Sequence, residues 1–425
     1  MEFKNCKLVV SLQAQSPMVH FQGDEIGATL RGSELKPKLD RFLEKKNKFD
    51  DVAYIDKEKH ALNYKVAVEG ENKGSVCELA RSHDRRFAIL YGDRDGKKVV
   101  LRDAKLTILC MNKELQEAIE TDLVEFFAVT NFGYMQNKGF GSFMPIEYMN
   151  GRSPEEIRKD VAGWLRAQCN AKACYYMDFA NTKAYDDRKY AESYDFYFSE
   201  IKDFYDLLKT GRNLGREKYS KAYIYQYMHE KKIDNEKAWM KATGLAPAIK
   251  EERARWMTYE KNKDSGSSDN AKYVRALLGV GSKVEFINSL GEKKPGEKVT
   301  VTIKHDAKDR KKQIERMDSP IYFKIIQNYV FICAERIPSQ IYGETFRFSA
   351  KIPSRHKCDE IAITNEKSLK INVPDQKMLE QVHFSIDDLL EKYVKYYNGK
   401  TPGEGNAYLR AVIPTLKRNR YVNRV

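Results

Sequence analysis

The chain contains no uninterrupted apolar run of 18 or more residues, so nothing in it reads as a membrane span. Its opening, Met1-Glu2-Phe3-Lys4-Asn5-Cys6, carries neither the hydrophobic core nor the cleavage site of a secretory signal. Cysteine is sparse, seven in 425 residues, scattered and odd in number; this argues against a disulfide framework and for reduced thiols in a cytoplasm. The closest pair, Cys169 and Cys174, has no second pair nearby, so neither a zinc site nor any other metal or cofactor is expected. Walker loops, Gly-x-Ser-x-Gly elbows and His-Glu-x-x-His helices are all missing. The dipeptides His83-Asp84 and His305-Asp306 evoke His-Asp phosphohydrolases, but the further helical histidines those sites need are missing too. Acidic residues are outnumbered: 61 Asp and Glu face 75 Lys and Arg, a formal net charge of +14. That balance suits a polyanion, although solvated surface lysines alone would also produce it.

What is present is a folded chain long enough for two or three domains, with 26 tyrosines able to bury a ring and still offer a hydroxyl. Leu8, Val10 and Leu12 alternate with Lys7, Val9 and Ser11, a strand pattern that Ser16-Pro17 ends. Leu35, Leu39, Phe42 and Leu43 then fall on one helical face starting near Ser33. Further strands are expected at 61–68, 87–91, 99–101 and 106–110, and a helix at 113–129 through Leu115, Ile119, Leu123 and Phe126. A glycine-rich turn closes this unit at 133–145. The order suits an α+β fold of the ferredoxin-like kind over residues 1–150.

Residues 151–270 read as a mainly helical insertion. Ser153, Pro154 and Glu156 form a helix start with a capping box, and Phe196, Ile201, Phe204, Tyr205 and Leu208 make one apolar stripe, read as helix packing before base stacking. One strand is expected at 174–179, and 263–269 has linker composition. Strand signals return at 299–303, 321–326, 330–333, 345–348 and 369–373, with a helix capped by Ser385, so 271–425 reads as a second domain of the same class.

Three stretches carry chemistry. Arg31-Gly32-Ser33-Glu34-Leu35-Lys36 places a tight entry and the N-cap Ser33 at a helix start, where freed amides with Arg31 and Lys36 offer an anion site. Lys138-Gly139-Phe140-Gly141-Ser142 has two glycines that let backbone amides approach a phosphodiester, a lysine for charge and a phenylalanine to anchor the loop or stack on a base. Arg316-Met317-Asp318-Ser319-Pro320-Ile321-Tyr322-Phe323-Lys324 is the third. The upstream Leu277-Leu278-Gly279-Val280-Gly281-Ser282 reads as a helix C-cap or as a second backbone turn.

Together these resemble the RAMP superfamily of CRISPR-associated proteins. There a first strand ends at Ser-Pro, a Gly-Ser-x-Leu-Lys step opens the first helix, and a basic residue precedes Gly-aromatic-Gly-Ser. The third stretch resembles the Arg-x-x-Ser-Pro strand of the large two-domain RAMP subunit of Cmr-type (type III-B) effector complexes. The resemblance implies tandem ferredoxin-like domains and binding of CRISPR RNA, held toward its 3′ end, to help capture complementary target RNA alongside other RAMP subunits. The contacts it points to are Arg31, Gly32, Ser33, Lys36, Lys38, Lys138, Gly139, Phe140, Gly141 and Ser142, then Arg316, Lys324, Arg418 and Arg420. Two catalytic alternatives stay open: metal-independent cleavage of CRISPR RNA with His20 as general acid–base, and metal-dependent cleavage at Asp24. The lack of a lysine–tyrosine–histidine cluster favours a binder over a nuclease.

Overall fold

A computed structural model of the chain describes residues 1–20, 29–78, 98–179, 191–213, 219–242, 271–287, 298–353, 364–399 and 422–424. The fold is mixed α+β, and it divides into two compact units that interleave along the sequence. Unit 1 comprises Met1–Asp203, Ile321–Glu335 and Ala411–Val425; unit 2 comprises Phe204–Pro320 and Arg336–Arg410. The boundaries expected at 150 and 270 therefore fall inside unit 1 and unit 2 respectively.

In unit 1 the alternation at the start of the chain forms β1 (Lys7–Ala14), with Leu8, Val10 and Leu12 buried and Lys7 and Val9 exposed. β2 (Met18–His20) follows the Ser16-Pro17 break. After helix α1 (Gly32–Lys46) come a small hairpin of β3 (Tyr54–Asp56) and β4 (Ala61–Leu62), then β5 (Tyr64–Glu78), β6 (Lys98–Cys110), α2 (Lys113–Val129) and β7 (Phe143–Pro145). Residues 98–110 form one long strand where two short ones were expected; the expected strand at 87–91 lies outside the described residues. Strand order is β5–β6–β1–β7, with antiparallel neighbours throughout, and β2 adds to β6 beyond the end of β1. The register sets Leu8 opposite Ile108 and Val10 opposite Leu106, so inward residues of the two central strands coincide.

Both helices cover this face. Leu35, Leu39 and Leu43 of α1 and Leu115, Ile119 and Leu123 of α2 join Leu8, Val10, Leu12, Leu106 and Ile108 in one core. Each such side chain contributes ~1.5–3 kcal/mol by leaving water. A run of rings, Phe42–Phe126–Phe132–Phe143, continues the core to both ends of the glycine-rich turn, with centroids 5.5, 6.0 and 6.1 Å apart. Past the short α3 (Ile146–Met149), α4 (Pro154–Cys169) opens on Ser153, whose hydroxyl accepts from the Glu156 amide while the Glu156 carboxylate accepts from the Ser153 amide.

A second sheet in unit 1 is gathered from distant chain segments. β8 (Cys174–Asp178) pairs with β16 (Tyr329–Ala334) on one side and β19 (Val422–Arg424) on the other, and β16 pairs with β15 (Ile321–Ile326). Its order, β15–β16–β8–β19, repeats that of β5–β6–β1–β7 in the first sheet: with β2 left aside, the second, third, first and fourth strands along the chain lie side by side in both. The strands at 321–326 and 329–334 thus separate from those at 298–305 and 345–353, with which they were expected to share a domain. The reason lies in their burial. Every residue of β15 and β16 is buried, so these strands need cover on both faces. α4 supplies part of it: Ile157, Val161 and Leu165 share the core with Tyr322, Phe331 and Cys333.

Unit 2 holds two short pairs, β9 (Arg212–Asn213) with β10 (Tyr219–Ser220) and β11 (Asp234–Asn235) with β12 (Ala271–Lys272), and an antiparallel sheet in the order β13 (Lys283–Ile287), β14 (Lys298–His305), β17 (Thr345–Pro353), β18 (Thr364–Asn372). Its inner face, Val301, Ile303, Phe346, Phe348 and Ile371, is buried, and Tyr273 meets Phe346 and Phe348 edge-on at 5.4 and 5.0 Å. Tyr273 precedes the five-residue 3-10 helix Val274–Leu278, which ends on Gly279 at φ +104°; the C-cap reading of this run holds, on a 3-10 helix. Arg275 of that turn forms a buried ion pair with Glu236, whose carboxylate also accepts from Tyr225 Oη at 2.9 Å and from the Val274 amide at 3.1 Å. Ser385 caps the final helix (Ile386–Gly399) by accepting from the Asp388 amide at 3.0 Å, as its sequence predicts. Among the described residues no helix is long and apolar enough to cross a membrane.

Candidate nucleic-acid interface

Two of the three motifs that stood apart in the sequence, with the Ser16-Pro17 strand end, meet in unit 1. The strand end at Ser16-Pro17 lies against the glycine-rich turn: Ser16 Oγ donates to Gly139 O at 2.7 Å and accepts from the Ser142 amide at 2.9 Å, while the Gly141 amide donates to Pro17 O at 2.9 Å. α1 reaches the same turn. Glu34 accepts from the Gly133 amide at 2.9 Å, and Lys38 Nζ donates to Glu34, to Asn131 O at 2.8 Å and to Gln136 Oε1 at 2.7 Å. Asn131, almost fully buried, donates to Gln136 O and Phe323 O at 2.8 and 2.9 Å and so ties the turn to β15.

The glycines are there for close backbone approach. Gly141 has φ +73°, and a Cβ placed on it would lie 1.9 Å from Phe132 O, because residues 132 and 141 pair across the base of the turn. Gly139 has φ +87°, and its Cβ would press on Ile325 at 3.2 Å. Residues 139–142 are buried, and the amides of Gly139, Gly141 and Ser142 donate within the protein, to Gln136 O, Pro17 O and Ser16 Oγ. The expectation that successive amides here face a phosphodiester is corrected: the turn is a structural joint. Phe140 likewise meets no base. It is fully buried and stacks on Phe198 with centroids 3.9 Å apart and planes 10° apart. Lys138 Nζ lies 5.8 Å from the centroid of the Phe323 ring.

What this joint presents outward is the start of α1. The N-cap is Arg31, whose side chain makes no capping bond, and the helix begins at Gly32; Ser33 is an exposed first-turn residue and not the cap it was expected to be. Among the described residues no side chain caps the first-turn amides of Gly32 and Ser33, which lie beside the exposed Arg31. Lys36 and Lys38 stand one and two turns further along, only about a fifth exposed. Lys36 donates to Asp40 at 2.7 Å and to Leu62 O at 2.9 Å. Burial lowers the Lys38 pKa, against the opposing pull of Glu34. Both lysines hold structure first and add positive potential second.

Other expected contacts lie elsewhere. Lys324 is fully buried in β15 and donates to Phe127 O at 2.7 Å and Thr130 O at 2.6 Å, closing the C-terminal end of α2; it is corrected from a phosphate contact to a helix cap. Arg316 is exposed in unit 2. His20 is the last residue of β2, opposite Lys98. Asp24, His83, Arg418 and Arg420 lie outside the described residues. His305 and Asp306 are engaged separately, His305 with Glu344 at 2.6 Å and Asp306 with Arg347 and Lys370. Among the described residues no cluster of three or more histidine, cysteine or acidic side chains could hold a metal ion. Glu34, Asn131 and Gln136, which organise the joint, carried no sequence signal of their own; only the proximity of Glu34 to Gly32-Ser33 could have pointed to one of them.

The sequence matches two family models, described as the Cmr1 N-terminal domain, over residues 5–212, and the Cmr1 C-terminal domain, over residues 219–417. The chain belongs to the Cmr1 family. It is thus a CRISPR-associated RAMP protein of type III effector complexes, and the resemblance read from its motifs holds. Among solved structures, Cmr1 from Pyrococcus furiosus in its apo form is similar at 10% identity, over 78% of this chain and 88% of that one, with a TM-score of 0.35. No curated protein matches the chain.

Proposed function

We propose that this Cmr1-family chain binds CRISPR RNA within a type III-B complex, holding the guide toward its 3′ end and helping it capture complementary target RNA, without catalysis of its own. Other RAMP subunits are its protein partners. The observation that supports this most is the start of α1, uncapped among the described residues, with Arg31 and Ser33 exposed and the helix held in place by the 131–142 joint. A phosphate seated there would complete the unmade amide bonds and meet a guanidinium. The excess of 14 positive charges supplies the long-range attraction.

The same reading takes the two four-stranded sets of unit 1 as tandem ferredoxin-like RAMP domains. The first spans β1 to β7. The second consists of β8, β15, β16 and β19, with much of the helical 151–270 region and the β13–β18 sheet inserted between its strands. The strand order shared by the two sheets supports this division.

Filter binding of single-stranded guide RNA at two salt concentrations tests the proposal. Affinity should fall steeply with salt, since each phosphate neutralised on a single strand contributes about 0.7 to the logarithmic slope. Absence of binding at low salt would refute it.

A further inference from the structure

The outer face of the unit 2 sheet is a second candidate surface. Side chains alternate across a strand, so residues two apart share a face. Opposite the buried Val301, Ile303, Phe346, Phe348 and Ile371, the register aligns rows that span the sheet. One row is Lys304–Arg347–Lys370, all three exposed; the next is Lys283–Thr302–Ser349–Ser368. The first puts one cation on each of three adjacent strands, ~4.8 Å apart, and the second adds a fourth cation and three hydroxyls. No large apolar side chain is exposed on these two rows, so the face does not have the composition of a protein–protein contact.

Among the described residues one acid pairs with these cations. Asp306, on the row beyond, accepts from Arg347 Nη2 at 2.8 Å and from Lys370 Nζ at 2.6 Å, and their charges hold its pKa below the usual carboxylate range. These pairs are exposed, where ion pairs contribute ~0–1 kcal/mol, so a polyanion can compete for both cations at small cost.

We infer that the Lys304–Arg347–Lys370 row, with Lys283 and the hydroxyls of Thr302, Ser349 and Ser368, binds the sugar–phosphate backbone of a single RNA strand. This rests on the proposed RNA-binding role and adds a contact surface in unit 2, remote in sequence from Arg31 and α1. With no aromatic side chain in these two rows, the face would read charge and not bases, so it would grip RNA without regard to sequence.

The test uses the full chain and a fluorescein-labelled single-stranded RNA, with anisotropy titrations across a salt series. Replacing Lys304, Arg347 and Lys370 together by glutamine should leave the melting temperature unchanged. The logarithmic salt slope should fall by about 2, and affinity at 0.1 M salt should drop on the order of a hundredfold, for three lost phosphate contacts. Asp306→Asn acts in the opposite direction: it frees two cations and removes an anion, so affinity should rise severalfold. Wild-type affinity and slope in the triple variant, or no gain in Asp306→Asn, would overturn the inference while leaving the RNA-binding role intact. Failure of the wild-type chain to bind RNA would instead remove the role and the inference with it.

Discussion

Replacing Lys324 by methionine tests whether a cation lies in the core of unit 1 for a structural reason. Its ammonium has no exposure to solvent and donates to two carbonyls at the end of α2, Phe127 O and Thr130 O. Methionine keeps the length and apolar stem but removes the donor, and each orphaned carbonyl costs ~1–3 kcal/mol. Opposing this, burial pushes the Lys324 pKa well below the ordinary lysine value, with a smaller contribution from Lys38, so the charged form is itself costly in the folded chain. The two terms partly cancel near neutral pH, leaving Lys324→Met ~2 kcal/mol less stable.

The pH dependence separates the terms. Between the depressed folded pKa and the ordinary value of about 10.4, the unfolded chain binds a proton that the folded chain has released, so wild-type stability gains up to ~1.4 kcal/mol per pH unit. A neutral amine still has two N–H groups for two carbonyls, so the helix end stays closed. Methionine does not titrate, and the other groups contribute nearly equally to both proteins. Urea unfolding at pH 6.5, 8 and 9.5 should therefore show the gap between wild type and variant widening with pH. A gap that stays constant or shrinks would refute the assignment of Lys324 as a desolvated helix cap.

Other expectations follow from the joint and its surface. Gly141→Ala should destabilise unit 1 by ~3 kcal/mol or more, seen as a lower melting temperature, because it combines a left-handed φ with a collision against Phe132 O. Arg31→Ala should leave the melting temperature alone and lower the salt slope of RNA binding by about 0.7; an unchanged slope would remove Arg31 from the interface. Phe140→Ala should cost ~3–5 kcal/mol of stability, as expected of a stacked core ring, whereas a base-stacking residue would lower RNA affinity with stability intact. Incubation with CRISPR repeat RNA in chelator should give no specific cleavage; cleavage that His20→Ala abolishes would replace the binder with a nuclease.

Local structure was largely legible in the sequence. The capping boundary at Ser153, the helix at 113–129 and the strand at 321–326 followed from periodicity and caps, because those signals act over a few residues. Proximity was harder. That Gly32-Ser33 and Gly139–Ser142 belong to one place was legible from their shared resemblance, but the direction in which the turn faces was not: two glycines serve a backbone crossing as well as a phosphate. Lys324 misled for a similar reason, since a lysine inside an apolar run gives no sign that its partners are carbonyls on a helix about 200 residues earlier. The recurrence of Ser-Pro beside Gly-x-Gly-Ser was also invisible as a repeat. Only the pairing of Val280 with Met317, which sets Gly279 against Ser319, shows it echoing Ser16-Pro17 and Gly139–Ser142.

The sheet that joins β8 to β15, β16 and β19 has a consequence for how the protein is made. A ribosome delivers Cys174–Asp178 well before Ile321–Ala334, and Val422–Arg424 later still, so β8 emerges with both hydrogen-bonding edges open. Through that interval the strand, rich in tyrosine and cysteine, must be kept from pairing with neighbouring chains. Pairings this distant in sequence also add loop-closure cost, so this sheet is expected to form after the first. Expression at lower temperature, or together with a partner that covers β8, should raise the yield of folded protein more than any change to the surface of the first sheet.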